Sequence, residues 1–226
     1  MERVLLKDVV YRRIKDLIVT GAFPMGSKLS ENRLSELLKA NVAPIRDALK
    51  RLESEKLVER RPKSGTYVFS ICQSSLDKLL RFRFVIESEA AALACEADRA
   101  KFAQELGAVY DIMVMDQRTG NNRDYLKQDS IFHRTMVSEC GNPYFIESYQ
   151  LIANIMDTVR NYLGNNENHL QRSMNQHSEI IEAVQDGNAA HLREILARHI
   201  LPEHGAYWTE ENVCKRLPKD PPRDQG

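Results

Sequence analysis

Four side chains in the second half of the sequence could together bind a divalent metal ion. Asp129 and His133 lie four residues apart, so on a helix both project from the same face. His177 and His199 follow on two later predicted helices. Three imidazoles and one carboxylate suit zinc, nickel, manganese or iron, and four protein ligands would leave an octahedral ion two open positions. An Asp-x-x-x-His pair is also common as an ordinary exposed pair, so the spacing alone leaves both interpretations open.

Six long amphipathic helices would have to position these residues. Apolar periodicity and intervening breakers predict helices over residues 75–97, 99–117, 121–139, 142–163, 166–186 and 188–214. Pro202 is expected to bend or interrupt the last of them. Short links between long amphipathic helices favour an antiparallel bundle.

A second pattern, between Leu29 and Val68, predicts two short helices joined by a tight turn and followed by a hairpin. Ser30 and Asn41 are placed to cap the two helices. The hairpin turn falls at Pro62–Gly65. A helix-turn-helix with a basic hairpin beside it is a winged helix, and its second helix has the size and polarity to enter a DNA major groove. The predicted fold class is therefore mainly α: a winged helix-turn-helix with a small β-hairpin wing, then an all-α antiparallel helical bundle.

Charge and cysteine usage agree with this division. Residues 1–70 hold 15 Lys+Arg against 9 Asp+Glu, whereas residues 71–226 hold 17 against 23, so only the first part is suited to a polyanion. The four cysteines are more than 20 residues apart and form no CxxC pair, which favours reduced thiols in a cytosol. The longest apolar run has six residues, so no membrane span is expected.

The N-terminal pattern resembles the winged-helix domain of GntR-type bacterial transcription regulators. The matching segments are Glu31 with Arg33–Glu36, Pro44–Leu49, Arg51–Glu53, Leu57–Val58 and Gly65–Val68. Two pairs of residues depart from the family pattern. Val42 and Ala43 stand where the family usually has Arg and Thr, and Lys39 and Lys56 replace turn glycines.

This resemblance implies a dimeric regulator that binds double-stranded operator DNA in the bacterial cytoplasm. The implied DNA-binding residues are Arg33, Asn41, Val42, Ala43, Arg46 and Lys50, with Lys63, Ser64, Gly65 and Thr66 in the wing. Val42, Arg46 and Lys50 recur four residues apart and point outward together on the second helix. Arg46 is the residue expected to read a base or grip a phosphate.

Residues from about Leu76 to Leu201 resemble the FCD domain of the FadR branch of these regulators. The matching segments are Asp129–His133, His177–Ala183 and Ala197–His199. The resemblance implies that Asp129, His133, His177 and His199 are the metal ligands, with zinc or nickel preferred. The other three histidines match no ligand position and are expected at the surface; they are His169, His191 and His204.

Metal-containing members of that branch bind a small carboxylate or sugar acid beside the ion. The residues implied as effector-binding here are Arg83, Asn142 and Arg160. Each has an ordinary alternative role. Arg83 is spaced to pair with Glu87, Asn142 to cap a helix, and Arg160 to lie on a solvated face.

Three functions remain to be weighed: a ligand-responsive transcription regulator, a helical metalloenzyme, and a winged-helix adaptor for protein contacts. The enzyme leaves the basic winged helix without a role, so we expect the regulator, and a repressor. The expected domains are 1–70 for DNA binding, 71–75 for a linker, 76–215 for effector binding and dimerisation, and 216–226 for a disordered tail.

Overall fold

The computed structural model describes residues 6–213 and Leu217. The chain forms two compact units. The first ends at Ser70 and also includes Asn154–Tyr162, and the second comprises Ile71–Ala153 and the chain from Leu163 onward. Apart from Leu217, the predicted tail 216–226 lies outside the described residues.

The first unit contains the predicted winged helix. Its elements are α1 (Leu6–Val19), β1 (Lys28–Leu29), α2 (Glu31–Leu38), α3 (Val42–Ser54), β2 (Val58–Arg61) and β3 (Gly65–Val68). Helix α1 packs against α3, which also contacts α2. The strands form an antiparallel sheet in the order β1-β3-β2, so the hairpin gains a third strand that was not predicted. That strand has only two residues, too few for an alternating pattern to be recognised.

The two predicted helix caps differ in the structure. The Ser30 side chain accepts the backbone N–H of Arg33, as a cap should. Asn41 precedes α3 but its side chain makes no capping hydrogen bond, so this prediction is wrong. The reason lies in the sequence, because the third residue after Asn41 is Pro44, which has no N–H to offer a cap.

Lysines occupy the left-handed conformation at both positions where the resemblance to the family implies a turn glycine. Lys39 has φ 51° and Lys56 has φ 61°. A side chain in this region costs roughly 1–2 kcal/mol because its Cβ crowds the backbone. We therefore expect Lys39→Gly and Lys56→Gly each to raise the free energy of unfolding of the first unit by about 0.5–1 kcal/mol, after the greater unfolded-state entropy of glycine is subtracted.

Urea unfolding followed by circular dichroism would measure this gain. Lys50→Gly is the matched control, because Lys50 is an exposed lysine within α3. Glycine there should lower stability by about 1 kcal/mol. If Lys39→Gly or Lys56→Gly also lowered the free energy of unfolding, the left-handed conformation of that lysine would not be destabilising.

Among the described residues of the second unit, five long helices form a bundle. They are α4 (Gln73–Arg118), α5 (Asn122–Ser138), α6 (Pro143–Leu163), α7 (Glu167–Asp186) and α8 (Ala189–Ile200), with residues 154–162 of α6 grouped with the first unit. Helix α4 packs against α5, α7 and α8, and α7 packs against α8. Asp98 has non-helical angles, which divides α4 where two helices were predicted. Within residues 6–213, every helix lacks the apolar length that crossing a membrane requires.

The last predicted helix, over 188–214, is interrupted at Pro202 as expected, but the prediction that it continues to residue 214 is wrong. Helix α8 ends at Ile200, and Leu201 adopts an extended conformation because the ring of Pro202 disfavours a helical residue before it. A 3-10 turn (Pro202–His204) and a short helix α9 (Glu210–Val213) follow.

The segment after Pro202 folds back onto the bundle. Trp208 is buried, and its carbonyl oxygen accepts a hydrogen bond from Gln73 at the start of α4. His169 stacks on the ring of Tyr207 with 4.2 Å between centroids. His169 is therefore half-buried and not the surface group that was expected, whereas His191 and His204 are exposed.

Candidate metal centre and DNA-binding surface

Helices α5, α7 and α8 each contribute one imidazole to a buried cluster. One ring nitrogen of each of His133, His177 and His199 lies within 4.8 Å of the other two. His133 Nε2 and His199 Nε2 are 3.1 Å apart. Asp129, one turn before His133 on α5, places Oδ1 3.6 Å from His177 Nε2 and Oδ2 4.0 Å from His133 Nε2. The fold thus brings together all four residues that the sequence singled out.

The cluster is shielded from water. His133 and His177 have no exposed surface, and Asp129 and His199 are also buried. Burial lowers the pKa of His199 well below its usual range, and the neighbouring His177 and His133 lower this pKa further. His199 is therefore neutral at physiological pH, which is the form of imidazole that binds metals.

Hydrogen-bond acceptors behind two of the rings determine which nitrogen faces the centre. His199 Nδ1 lies 3.0 Å from Gln176 Oε1, and the amide is oriented by a bond from its Nε2 to the Arg198 carbonyl oxygen. His133 Nδ1 lies 3.0 Å from Glu87 Oε2, a contact that a small ring rotation would align as a hydrogen bond. A proton on each Nδ1 would satisfy both acceptors, and in that tautomer the two Nε2 atoms face each other with lone pairs.

This arrangement is complementary to a cation. Two lone pairs held 3.1 Å apart repel each other unless positive charge lies near both nitrogens. Nitrogens bound to zinc at about 2.0–2.1 Å lie roughly 2.9–3.4 Å apart for octahedral to tetrahedral angles, which includes the observed separation. Ser173 Oγ approaches Asp129 Oδ1 at 3.4 Å and orients the carboxylate toward the same centre.

Arg83 is buried in the same unit, in α4. Its Nε donates to Glu87 Oε1 at 2.7 Å, so the pairing expected from the i,i+4 spacing does form. Tyr149 donates its hydroxyl to the same Oε1, also at 2.7 Å. Among the described residues, none forms a hydrogen bond with Arg83 Nη2. Pairing with Glu87 therefore leaves a buried guanidinium nitrogen available to a ligand.

The other two candidate effector residues have local partners. Asn142 Oδ1 accepts the backbone N–H of Tyr144, so this side chain caps α6 as its alternative role predicted. Arg160 is buried, lies in the stretch of α6 grouped with the first unit, and donates to Asp157 Oδ1 at 3.0 Å. The alternative role for Arg160, on a solvated face, is therefore wrong.

The outward face of α3 carries the predicted groove residues. Arg46 is 61% exposed in its side chain, and its Nε donates to Glu31 Oε2 at 2.7 Å. The other predicted groove residues that are exposed are Asn41, Ala43, Lys50 and, on α2, Arg33. Val42 is half-buried. The hydrogen bond to Glu31 uses Nε and so does not occupy the two terminal nitrogens of this exposed side chain. Those nitrogens form the edge of arginine that binds guanine or phosphate.

The wing is a tight turn at the end of an ordered hairpin. Lys63 has φ 59° and Gly65 has φ 118°, and the Ser64 hydroxyl lies 2.7 Å from that of Tyr67. Lys63, Ser64 and Gly65 are exposed, and Thr66 is half-buried. The Arg61 guanidinium stacks 4.4 Å from the centroid of the Tyr67 ring. The turn thus presents backbone and basic side chains in a defined shape.

Several residues that support these two sites were not predicted. Those behind the histidine cluster are Glu87, Tyr149, Ser173 and Gln176, and those beside the wing are Lys28, Arg61 and Tyr67. The available signals were weak: Glu87 follows Arg83 by four residues, and Gln176 immediately precedes His177. Neither spacing reveals a contact with a histidine on another helix.

Family models match most of the chain. Residues 6–68 match the model described as bacterial regulatory proteins, gntR family, and residues 78–201 match the FCD domain. The winged helix falls within the first match, and all four residues of the buried cluster fall within the second.

Similar proteins carry regulator names. The gluconate operon transcriptional repressor of Bacillus licheniformis is 24% identical over 74% of this chain and 70% of its own length. A probable D-xylose utilization operon transcriptional repressor of Paenarthrobacter nicotinovorans is 24% identical over 90% of this chain and 89% of its own. The solved structure of E. coli McbR/YncC is 23% identical, has a TM-score of 0.74, and aligns over 88% of this chain and 94% of that one. That last likeness shows a shared fold.

Proposed function

Since the chain belongs to the gntR family of bacterial regulatory proteins and carries an FCD domain, we propose that it is a repressor that a metal-bound small acid releases from operator DNA. Its family makes it a transcription regulator and not an enzyme, so the metalloenzyme alternative is set aside. In the proposal, a homodimer in the bacterial cytoplasm binds two half-sites about one helical turn apart.

The observation that carries the effector half of the proposal is the pair of opposed Nε2 atoms in the histidine cluster. Asp129, His133, His177 and His199 supply one oxygen and three nitrogens, a donor set that suits zinc or nickel and also manganese or iron. When bound, such an ion supplies positive charge and open positions for an anionic ligand. The four residues hold it away from bulk water.

Arg83 is proposed to orient the acid. Its guanidinium is buried and anchored through Nε, so a terminal nitrogen is free to bind a carboxylate without further loss of side-chain entropy. The name of the gluconate operon repressor supports sugar acids or related small carboxylates as the class to try first. The geometry of Asn142 and Arg160 lends no comparable support to an effector role for either.

The DNA half of the proposal uses α3 and the wing. Arg46, Lys50 and Arg33 would contact the groove and its phosphates, while the Lys63–Thr66 turn would contact the backbone beside it. Effector binding would change the population of DNA-competent dimers in proportion to its differential affinity for the two states. The adaptor alternative is less favoured, because it leaves the exposed basic residues of α3 and the wing unused.

An operator-release assay tests the proposal. A duplex is first selected from random sequences with the parent protein, and its release is followed by fluorescence anisotropy. Gluconate, other sugar acids and citrate are titrated against zinc- or nickel-loaded protein and against chelator-treated protein. We expect one acid to release the duplex only from the metal-loaded form. Equal release of the duplex from metal-loaded and chelator-treated protein would contradict the effector half of the proposal.

Arg83→Lys should weaken the response to the acid found in this way. Lysine keeps the charge but lacks the planar guanidinium that binds Glu87 through Nε and presents a separate terminal nitrogen to a carboxylate, so the acid concentration for half-release should rise about 10- to 100-fold. The matched control is Arg81→Lys on the same helix, where the arginine is exposed and paired with Glu203 at the surface. Equal half-release concentrations in the two variants would rule out a role for Arg83 at the acid.

A further inference from the structure

The Glu87 carboxylate lies between Arg83, the proposed acid-binding residue, and His133, a proposed metal ligand. Its carboxylate has no exposed surface. Oε1 accepts hydrogen bonds from Arg83 Nε and the Tyr149 hydroxyl, each at 2.7 Å. Oε2 lies 3.0 Å from His133 Nδ1, on the side of the ring opposite the cluster centre. One side chain therefore touches both the candidate acid-binding arginine and a candidate metal ligand.

The Arg83 ion pair alone does not account for this geometry. The hydrogen bonds from Arg83 and Tyr149 both fall on Oε1, and no described side chain forms a hydrogen bond with Oε2. A buried carboxylate oxygen left without a donor would be costly. The His133 ring nitrogen, 3.0 Å away, lies where it could donate to Oε2, and the carboxylate would then stabilise the tautomer in which Nδ1 carries the proton.

We propose that Glu87 is a positioning residue that holds His133 Nε2 toward the metal and couples the metal to Arg83. This inference rests on the metal site of the proposed function. By accepting the Nδ1 proton, the carboxylate fixes the ring and makes Nε2 a stronger donor to the ion. Because the same carboxylate anchors Arg83, a shift of the His133 ring on metal binding also shifts the guanidinium that awaits the acid. Metal and acid should then bind cooperatively.

The charge on Glu87 distinguishes His133 from the other ligands. His199 has a neutral acceptor behind it, the amide of Gln176. A carboxylate polarises an imidazole N–H more strongly than an amide does. His133 should therefore depend more on its partner than His199 does, and loss of the Glu87 charge should weaken the whole site.

Metal affinity of the full chain tests the inference. Zinc and nickel affinities are measured by competition with a chromophoric chelator for the parent, Glu87→Gln and Glu139→Gln. Glutamine keeps the shape of Glu87 but lowers its power to accept a proton, so we expect zinc and nickel to bind about 10- to 100-fold more weakly. Glu139, just after α5, pairs with Lys101 at the surface, and its change should leave both affinities within about twofold.

A second readout needs no variant, which keeps the inference testable if Glu87→Gln folds poorly. Two-bond ¹H–¹⁵N spectra of the metal-free parent report the tautomer of each imidazole. We expect His133 to carry its proton on Nδ1 before any metal is added. A proton on Nε2 would overturn the proposed role of Glu87, because that tautomer turns a donor and not a lone pair toward the ion.

The outcomes separate this inference from the function on which it rests. A parent protein that binds neither zinc nor nickel would remove the metal site, and the role of Glu87 with it. A parent that binds metal, together with a well-folded Glu87→Gln that binds it equally, would leave the site standing and overturn only the role of Glu87. Weaker zinc or nickel binding by Glu87→Gln, with parent-like binding by Glu139→Gln, supports the inference.

Discussion

We expect the His177→Ala protein to lose its metal ion and to gain no thermal stability when metal is added. His177 is the sole residue of α7 in the cluster, between ligands from α5 and α8. An ion at 1,000 times its dissociation constant stabilises the folded state by about 4 kcal/mol, which for a chain of this size is roughly 8–16 °C in Tm. Metal content by mass spectrometry and melting by circular dichroism measure both effects.

The comparison with and without chelator separates the metal from the cavity. Removing a buried imidazole leaves a hole that lowers Tm by itself, even without metal. The parent should therefore melt at a lower temperature after chelation, while His177→Ala melts alike in both conditions. His191→Ala on α8, where the histidine is exposed, should behave as the parent does. An unchanged metal content in His177→Ala would contradict the proposed metal site.

The second large effect is expected at the DNA-binding surface. Arg46→Ala should weaken binding to the selected duplex by about 10- to 100-fold per winged helix, since one well-placed arginine contributes roughly 1–3 kcal/mol of recognition. The domain should still fold, because the Arg46 side chain is 61% exposed and its partner Glu31 is also partly exposed. Fluorescence anisotropy across a range of salt concentrations measures the loss.

The salt dependence assigns the kind of contact. If Arg46 reads a base, discrimination at one base pair should fall; if it grips a phosphate, the slope of log K against log salt should drop by about one per winged helix. Arg13→Ala removes the same charge from the exposed side of α1 and should change affinity far less. Parent-like affinity in Arg46→Ala would mean that another face of the unit meets the DNA.

Much of the fold could be predicted because its signals are local. Hydrophobic periodicity and breakers marked each long helix, including the division of α4 at Asp98. The positions of Lys39 and Lys56 were marked by the glycines they replace, and both have positive φ. The Asp129–His133 spacing put two side chains on one face of α5, and the fold brings His177 and His199 to them.

The supporting contacts could not be predicted because they join residues far apart in sequence. Glu87 meets His133 and Tyr149 across 46 and 62 positions, distances that leave no periodic trace. The strand Lys28–Leu29 was missed because it exists only by pairing with β3. The end of α8 was set too late because the apolar pattern continues past Pro202, while the proline itself forces the chain to turn.

The turn at Pro202 gives the protein a built-in optical reporter. It brings Trp208, the single tryptophan of the chain, into a buried position beside the ring of His169. A shielded indole emits at shorter wavelength than one in water, so intrinsic emission follows the opening of the helical bundle. The winged helix contains no tryptophan and is silent in the same channel. Unfolding of the bundle can therefore be followed by emission without a dye or an added label.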